Sequence, residues 1–407
     1  MQFQAWTIQL KAETSLLIGS HRLDNNRYTS LDYIPYHVLQ AAMARAILET
    51  HEQYSLEKHG KEKPYYIDPS DSEITADGCH PQWREWFRAF DQLYLNDGRP
   101  MGRAYFPPTT FACKQSADHP LRETLPERYL LRHQRRPLTQ FFCATCGGRL
   151  ERKSGWHFYP NETLYYRQIT RVGLDERRLV SRDEHLYTLS VLEPYSFINP
   201  DTKITKPLYF YSTVYAPQGV DLSLDNTIIH VGAYLTTGLG RMRIRVFRAN
   251  TEQHRHDAMK RWEHWQQLTG DTSVAIQLLT DAELPVSFAS KSKYRTQAEW
   301  LTFYTDLFHH CSNLPEGITV EAAFLNVFQR RHVQYQSQIR RAETLTTLLQ
   351  QGSVFILNGP KAALNQWVDE ALRQGMAWNA DHFRRRLSVN ILSGQMEPPL
   401  GGGNIDE

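Results

Sequence analysis

The segment Gly232-Ala-Tyr-Leu-Thr-Thr-Gly238-Leu-Gly240 offers backbone N–H groups with no Cβ in the way, and it leads directly into Arg241-Met-Arg-Ile-Arg-Val246. Side chains alternate along a strand, so Met242, Ile244 and Val246 take one face while Arg241, Arg243 and Arg245 line the other. Bare backbone beside guanidinium forks suits contact with a phosphate backbone. No Gly-Lys-Ser/Thr follows the loop, so nucleotide hydrolysis is not supported. The plainer alternative is a tight turn beside a solvated strand face.

Further groups could do chemistry. Cys143-Ala-Thr-Cys146-Gly-Gly148 places two thiols on one side of a turn, with glycines that let amides reach sulfur; this is half of a tetrahedral metal site. Candidates to complete it are Cys113, chosen first, and Cys79, His80, His119, His133 and His157; the expected metal is a structural zinc. The polar stretch 20–32 holds Asp24 and Asp32 near Arg22, Arg27 and His37, and an aspartate there could assist attack of a ribose 2′-hydroxyl. Asx turns explain such aspartates more often. His309-His310-Cys311 reads as a helix end.

Several elements must position these groups. Trp6, Ile8 and Leu10 alternate with Thr7, Gln9 and Lys11 as a half-buried strand. A polar loop over 20–30 follows, then Pro35 and an amphipathic helix carrying Val38, Leu39, Ala42, Met43, Ala46 and Ile47. Residues from about 52 to 160 read as an irregular insertion with one short helix. A long hairpin is expected at about 163–192, built from strands 164–170 and 186–192, and its tip carries Arg171, Arg177, Arg178 and Arg182. A ribbon of that length projects beyond any core that could anchor it, which favours an interaction role. A helix over 251–268 stops at Gly270. Beyond it come a strand at 274–279, aromatic helices at 300–309 and 320–328, a strand at 353–357, a helix with Leu364, Trp367, Val368, Ala371 and Leu372, and a closing strand over 384–391. The tail 396–407 reads as flexible.

Composition sets limits on function. The chain has 407 residues, with 46 Lys plus Arg against 44 Asp plus Glu and a net charge of +2. That balance excludes binding of polyanions by bulk charge. The length implies two domains, and 41% apolar with 12% aromatic residues is enough to fill two cores. No run approaches a membrane span, and Met1–Trp6 lacks the pattern of a secretory leader, so no membrane and a cytoplasmic location are expected. Five cysteines, an odd number, argue against a disulfide framework.

The order of these pieces resembles a known family. Leu17-Ile-Gly-Ser20 with Tyr33-Ile-Pro35 and a helix is similar to the opening of the RAMP proteins of CRISPR effector complexes, and Val231-Gly232 through Thr237-Gly-Leu-Gly-Arg241 to their glycine-rich loop. Arg171 to Arg178 with Leu186 to Pro194 resembles the thumb hairpin of the large, Cas-five-like type III-D subunit, Csx-ten, which also carries a Cys-x-x-Cys-Gly insertion; Gly352-Ser-Val-Phe355 resembles a strand of a second RAMP domain. The resemblance implies an α+β chain of two tandem ferredoxin-like (RRM-like) domains. The first, over 1–270, would hold the insertion, the thumb and the glycine loop at 232–240, and a second, degenerate RAMP domain would cover 271–395. The segment 375–383 stands where that second domain would carry its own glycine loop, and the loop pattern is missing.

The function so implied is binding of the 5′ handle of a guide RNA (crRNA) within a type III CRISPR ribonucleoprotein for antiviral defence. Its partners would be crRNA, target RNA and other effector subunits. The RNA contacts would be Arg22, Arg171, Arg177, Arg178, Arg182, Gly232, Gly238, Gly240, Arg241, Arg243 and Arg245, and the metal ligands Cys113, Cys143 and Cys146. Exposed arginines and aromatics on a sheet agree with single-stranded RNA rather than duplex DNA. Two enzymatic alternatives remain: an endoribonuclease that processes precursor guide RNA through His37 beside Tyr36, and target-RNA cleavage through Asp24.

Overall fold

The computed structural model describes residues 2–395 apart from 24–26, 60–64, 66, 70–72, 135–140, 154, 159–162, 175–180, 200–203, 290–295, 337–339 and 381–382. At further positions, among them 20–23, 172–174, 181–186 and 330–336, it describes the backbone only. The chain is mixed α+β with several antiparallel sheets. Two compact units are present: Met1–Arg103 with Phe158–Ala249, and Ala104–His157 with Asn250–Leu400. Residues 104–157 and the helix after Asn250 thus group with the second unit, whereas the sequence reading had them in the first domain.

In chain order the first unit contains β1 (Phe3–Ala12), β2 (Ser20–Leu23), β3 (Arg27–Ser30), α1 (Tyr36–Glu49), β4 (Thr163–Leu174), β5 (Ser181–Asn199), β6 (Tyr209–Pro217), β7 (Leu224–His230) and β8 (Arg241–Arg248). One six-stranded sheet contains the run β7-β8-β1-β6, antiparallel at every step, with the short strands Tyr94–Leu95 and Arg99–Pro100 pairing onto β6. Its register sets Ile8 between Ser212 and Val246, and Leu10 between Phe210 and Ile244. These apolar residues are buried and share one core with Leu39, Met43 and Ile47 of α1. Each large side chain so buried contributes about 1.5–3 kcal/mol. The first turn of α1 leaves amides unpaired within the helix, and the Tyr36 amide donates to Asp97 Oδ1 at 2.8 Å.

The stretch 20–30, expected as a loop, instead contains β2 and β3 as an antiparallel pair, and β3 runs parallel to Thr188–Ser190 of β5. Edge pairing with a long neighbouring strand supplies the hydrogen bonds that the polar sequence could not announce. The hairpin strands β4 and β5 extend past the expected limits at both ends.

The second unit continues with α2 (Thr251–Thr269), β9 (Val274–Leu278), α3 (Gln297–Ser312), β10 (Thr319–Phe324), β11 (Val327–Gln336), β12 (Arg340–Leu349), β13 (Val354–Asn358), α4 (Lys361–Gln374), β14 (Met376–Ala380), β15 (Phe383–Leu387) and β16 (Val389–Ile391). Its main sheet has the order β10-β13-β9-β16, all antiparallel. From β9 onward the chain supplies a strand, a helix, two strands, a helix and a strand to that sheet and its cover. Asn250 caps α2 by accepting from Gln253 N, Gly270 closes it in the left-handed conformation, and Thr296 with Glu299 forms a capping box at α3. Trp262, Trp265, Phe308, Phe355 and Trp378 are buried in this core.

Two expectations fail here. Residues 320–328 are strand, in β10 and the start of β11, not helix. Val320, Phe324 and Phe328 satisfy a helical period, but the pairing of β10 with β13 overrides it. The closing strand expected over 384–391 is two strands: β15 pairs with β14, and β16 with β9. The segment 375–383 accordingly carries a strand rather than a glycine loop. No described helix is long and apolar enough to cross a membrane.

Candidate nucleic-acid interface and metal site

The β7–β8 turn is the loop singled out in the sequence. Val231 N donates to Gly240 O at 2.8 Å, Gly240 N to Ser15 O at 2.9 Å, and Ala233 N to Leu17 O at 2.9 Å, which strap the loop onto residues 15–17. Gly232 adopts φ +98°, and a Cβ there would lie 2.4 Å from Leu17 O. Gly238 also has positive φ (+85°), but nothing lies within 4 Å of its Cβ position. Gly240, at φ +84°, lies against Val231 O in the same way as Gly232 against Leu17 O.

The pair Gly232 and Gly238 makes a test of this strap. Gly232→Ala is expected to cost about 2–5 kcal/mol, from left-handed strain plus overpacking, and Gly238→Ala only about 1–2 kcal/mol. Chemical unfolding of both variants measures the difference; equal losses would show that the loop is not held against Leu17.

Within the loop Tyr234 has φ +58°, an uncommon conformation for an aromatic residue. Arg171, near the turn end of β4, donates from Nη2 to Thr237 Oγ1 at 3.1 Å and sets its guanidinium 5.5 Å from the Tyr234 ring centre. The Tyr187 ring stacks near Tyr234, and the Tyr28 ring meets Tyr187 edge-on. Beneath them lie buried Leu17, Leu189, Val191 and Leu239.

The face of the first unit's sheet opposite α1 carries the arginines. Cross-strand register sets Lys11 between Arg243 and Tyr209, and Gln9 between Arg245 and Tyr211. Met242, Ile244 and Val246 are buried on the other face. The guanidinium groups are not simply solvated. Glu13 accepts from Arg241 Nε at 2.8 Å and from Arg243 Nε at 2.7 Å, and Asp225 pairs with Arg245 at 3.1 Å. The hydrogen bond from Arg243 holds the Glu13 carboxyl below its ordinary range. Arg241 and Arg245 nevertheless keep about half of their side-chain surface exposed, 48% and 58%.

Of the other expected contacts, Arg22 in β2 and Arg182 at the start of β5 lie at positions where only the backbone is described. Asp24, Arg177 and Arg178 fall outside the described residues. His37 is exposed in the first turn of α1 with its ring 5.2 Å from that of Tyr36. Glu13, Asp225, Lys11 and the tyrosines 28, 187, 209, 211 and 234 were not legible as site residues. Only the alternation of Tyr209 and Tyr211 could have signalled any of them.

Cys113, His119, Cys143 and Cys146 converge, with their ligand atoms all within 4.8 Å of one another. Cys113 ends a short strand, Thr110–Cys113, that pairs with Leu150–Arg152. The turn 143–148 is closed by Cys143 N to Gly148 O and Gly147 N to Cys143 O, each 2.9 Å. Gln115 N points at Cys113 Sγ and Gly148 N at Cys146 Sγ, both at 3.4 Å. Amides of the turn stabilise the Cys143 thiolate and bring its pKa down to about 6, and a hydrogen bond from His119 lowers Cys113. This Cys/His group can hold a metal ion. Cys79 and Cys311 are buried elsewhere, and His309 and His310 sit in the last turns of α3.

No protein-family model matches the chain, and no curated protein does. Among solved structures it is similar to a chain of the type III-B Cmr-beta complex bound to cognate target RNA and AMPPnP: 9% identity over 93% of this chain and 99% of that one, with a TM-score of 0.37. A chain of the apo Cmr-beta complex gives 10% identity over 60% and 97%, with a TM-score of 0.26. Oligomeric Cmr4 from Pyrococcus furiosus gives 10% identity over 60% and 98%, with a TM-score of 0.22. Similarity at these levels fixes neither fold nor activity, so both rest on the geometry above.

Proposed function

We propose that this protein is an RNA-binding subunit of a type III CRISPR ribonucleoprotein, of the type III-D kind, that holds the 5′ handle of the guide RNA together with other effector subunits. The observation that carries the reading is the glycine loop at 231–240, which holds Tyr234, is strapped by its own amides to residues 15–17 and is flanked by Arg171 and the arginines of β8. Bare backbone, guanidinium forks and aromatic rings along one path are what a single strand needs: charge for phosphates, π-faces for bases. The strand order of the second unit supports a ferredoxin-like domain there, and β7-β8-β1-β6 with α1 supports a variant in the first, in which β6 takes the place a fourth strand would hold.

The metal at the Cys/His site is zinc in this reading. A tetrahedron with Zn–S about 2.3 Å and Zn–N about 2.0–2.1 Å sets sulfurs about 3.8 Å apart and sulfur from nitrogen about 3.6 Å apart. Cys113 and Cys146 sulfurs lie 3.5 Å apart, and His119 Nδ1 lies 3.3 Å from Cys113 and 3.5 Å from Cys143. Three thiolates and one imidazole make a closed structural set with no open position for a reaction.

Gel-shift titration of the purified protein with a guide RNA bearing its repeat-derived handle tests the function. Handle RNA should bind at least ten-fold tighter than a scrambled strand of equal length and remain intact. Equal binding of both strands would overturn handle recognition. A specific cut that disappears in His37→Ala would replace the reading with a processing endoribonuclease.

A further inference from the structure

We infer that the Tyr234 ring, on the glycine loop, is a stacking platform for one unpaired base of the bound strand; this rests on the RNA-binding reading and deepens it. Three features set Tyr234 apart from an ordinary packed tyrosine. Its backbone sits at φ +58°, a conformation that costs energy for any residue with a Cβ, where asparagine or glycine would serve a mere turn more cheaply. Despite that cost the ring is not used to fill a core, since Tyr234 is 37% exposed. It is also held in place from several sides. Thr237 Oγ1 donates to Tyr234 O at 2.8 Å and accepts from Arg171, whose guanidinium faces the ring at 5.5 Å. Tyr187 lies near-parallel, its centre 6.4 Å away at 29°, and is itself braced edge-on by Tyr28.

A preorganised, partly exposed ring beside a guanidinium suits a planar, electron-rich ligand with a negative charge close by. A nucleotide within a single strand has both, and every base offers a π-face, so the stack tolerates any base while fixing the register of the strand. Arg171, beside the ring, is then in place for an adjoining phosphate.

The test uses a set of handle RNAs, each with a single abasic position, titrated against the wild-type chain and the variants Tyr234→Phe and Tyr234→Gly. Glycine removes the ring yet relaxes the positive φ, so lost stability does not explain lost binding. With wild type and Tyr234→Phe, one abasic position should weaken binding about 5- to 150-fold, the range of a single base–aromatic stack. With Tyr234→Gly the intact RNA should bind weaker by a similar factor, and that abasic position should cost nothing more, as coupled groups require. Unchanged binding of intact RNA by Tyr234→Gly, or an abasic penalty that persists in it, would overturn the inference and leave the RNA-binding reading standing. No RNA binding by the wild-type chain would remove both. Binding of a proline-rich or aromatic peptide at Tyr234 with no dependence on any base would reassign the ring to a protein partner.

Discussion

Replacing Arg241, Arg243 and Arg245 together by glutamine lowers the affinity for handle RNA about 100-fold at roughly 0.1 M salt and flattens the salt dependence by about 2 logarithmic units per decade. The estimate follows from counterion release: each phosphate neutralised on a single strand contributes a slope of about −0.7, so three lost contacts remove a factor of about 100 between 0.1 M and the 1 M reference. Glutamine is the right replacement because Glu13 already binds two of these arginines, and Asp225 the third. Glutamate at the same positions would face those carboxylates and confuse repulsion within the fold with loss of RNA. The ion pairs also predict the opposite effect for a single change. Glu13→Gln leaves Arg241 and Arg243 without their shared counter-charge, so RNA binds more tightly and the slope steepens by up to about 0.7. Titration by fluorescence anisotropy over a series of salt concentrations reads all three proteins. An unchanged slope in the triple variant would mean that β8 presents a solvated face and nothing more.

Those pairs also refine what the overall charge says. On this face the carboxylates of Glu13 and Asp225 offset part of the charge of the three guanidinium groups, in keeping with a chain whose net charge is only +2. A strand of RNA must therefore compete with Glu13 and Asp225 for hydrogen-bond donors. Only a strand that also gains stacking and backbone contacts at the loop wins that competition, so near-neutrality works as a filter against arbitrary polyanions.

What could be read from the sequence was local. The alternation in β1 and β8 put Ile8, Leu10, Ile244 and Val246 inside, and Gly270 marked the end of α2. What could not be read was set by partners far along the chain. Glu13 meets Arg241 across 228 residues, and Tyr28, Tyr187 and Tyr234 join from three separate elements. The helix expected over 320–328 failed for the same reason: its apolar spacing fits both periods, and a strand more than thirty residues away decides between them. His119 is an intermediate case. It stood among several candidate ligands, and its place six residues after Cys113 was a usable clue that only the closure of the 143–148 turn made decisive.

One zinc per chain is expected in the native protein by elemental analysis, and Cys113→Ser should abolish it. The consequence for folding should be large but confined. The strands tied by this site, Thr110–Cys113, Arg122–Glu123 and Leu150–Arg152, are only two to four residues long, too short to persist on ladder hydrogen bonds alone. A closed thiolate–imidazole site contributes an apparent 10–16 kcal/mol of binding free energy, well beyond what such strands supply. Removing one ligand, or stripping the ion with a strong chelator, should therefore expose residues 104–124 and 141–153 to protease within minutes. Tyr129 anchors the intervening helix through hydrogen bonds to Asp271 and Glu321, both 2.6 Å, and shares its core with Trp265, so Leu125–His133 should stay protected. All four ligands belong to the second unit, so the first unit, with its own core, β8 and the glycine loop, should keep its RNA affinity within about two-fold. Native protein without zinc, or a Cys113→Ser chain cleaved no faster than wild type, would show that these short strands hold by themselves and that the thiols serve another purpose.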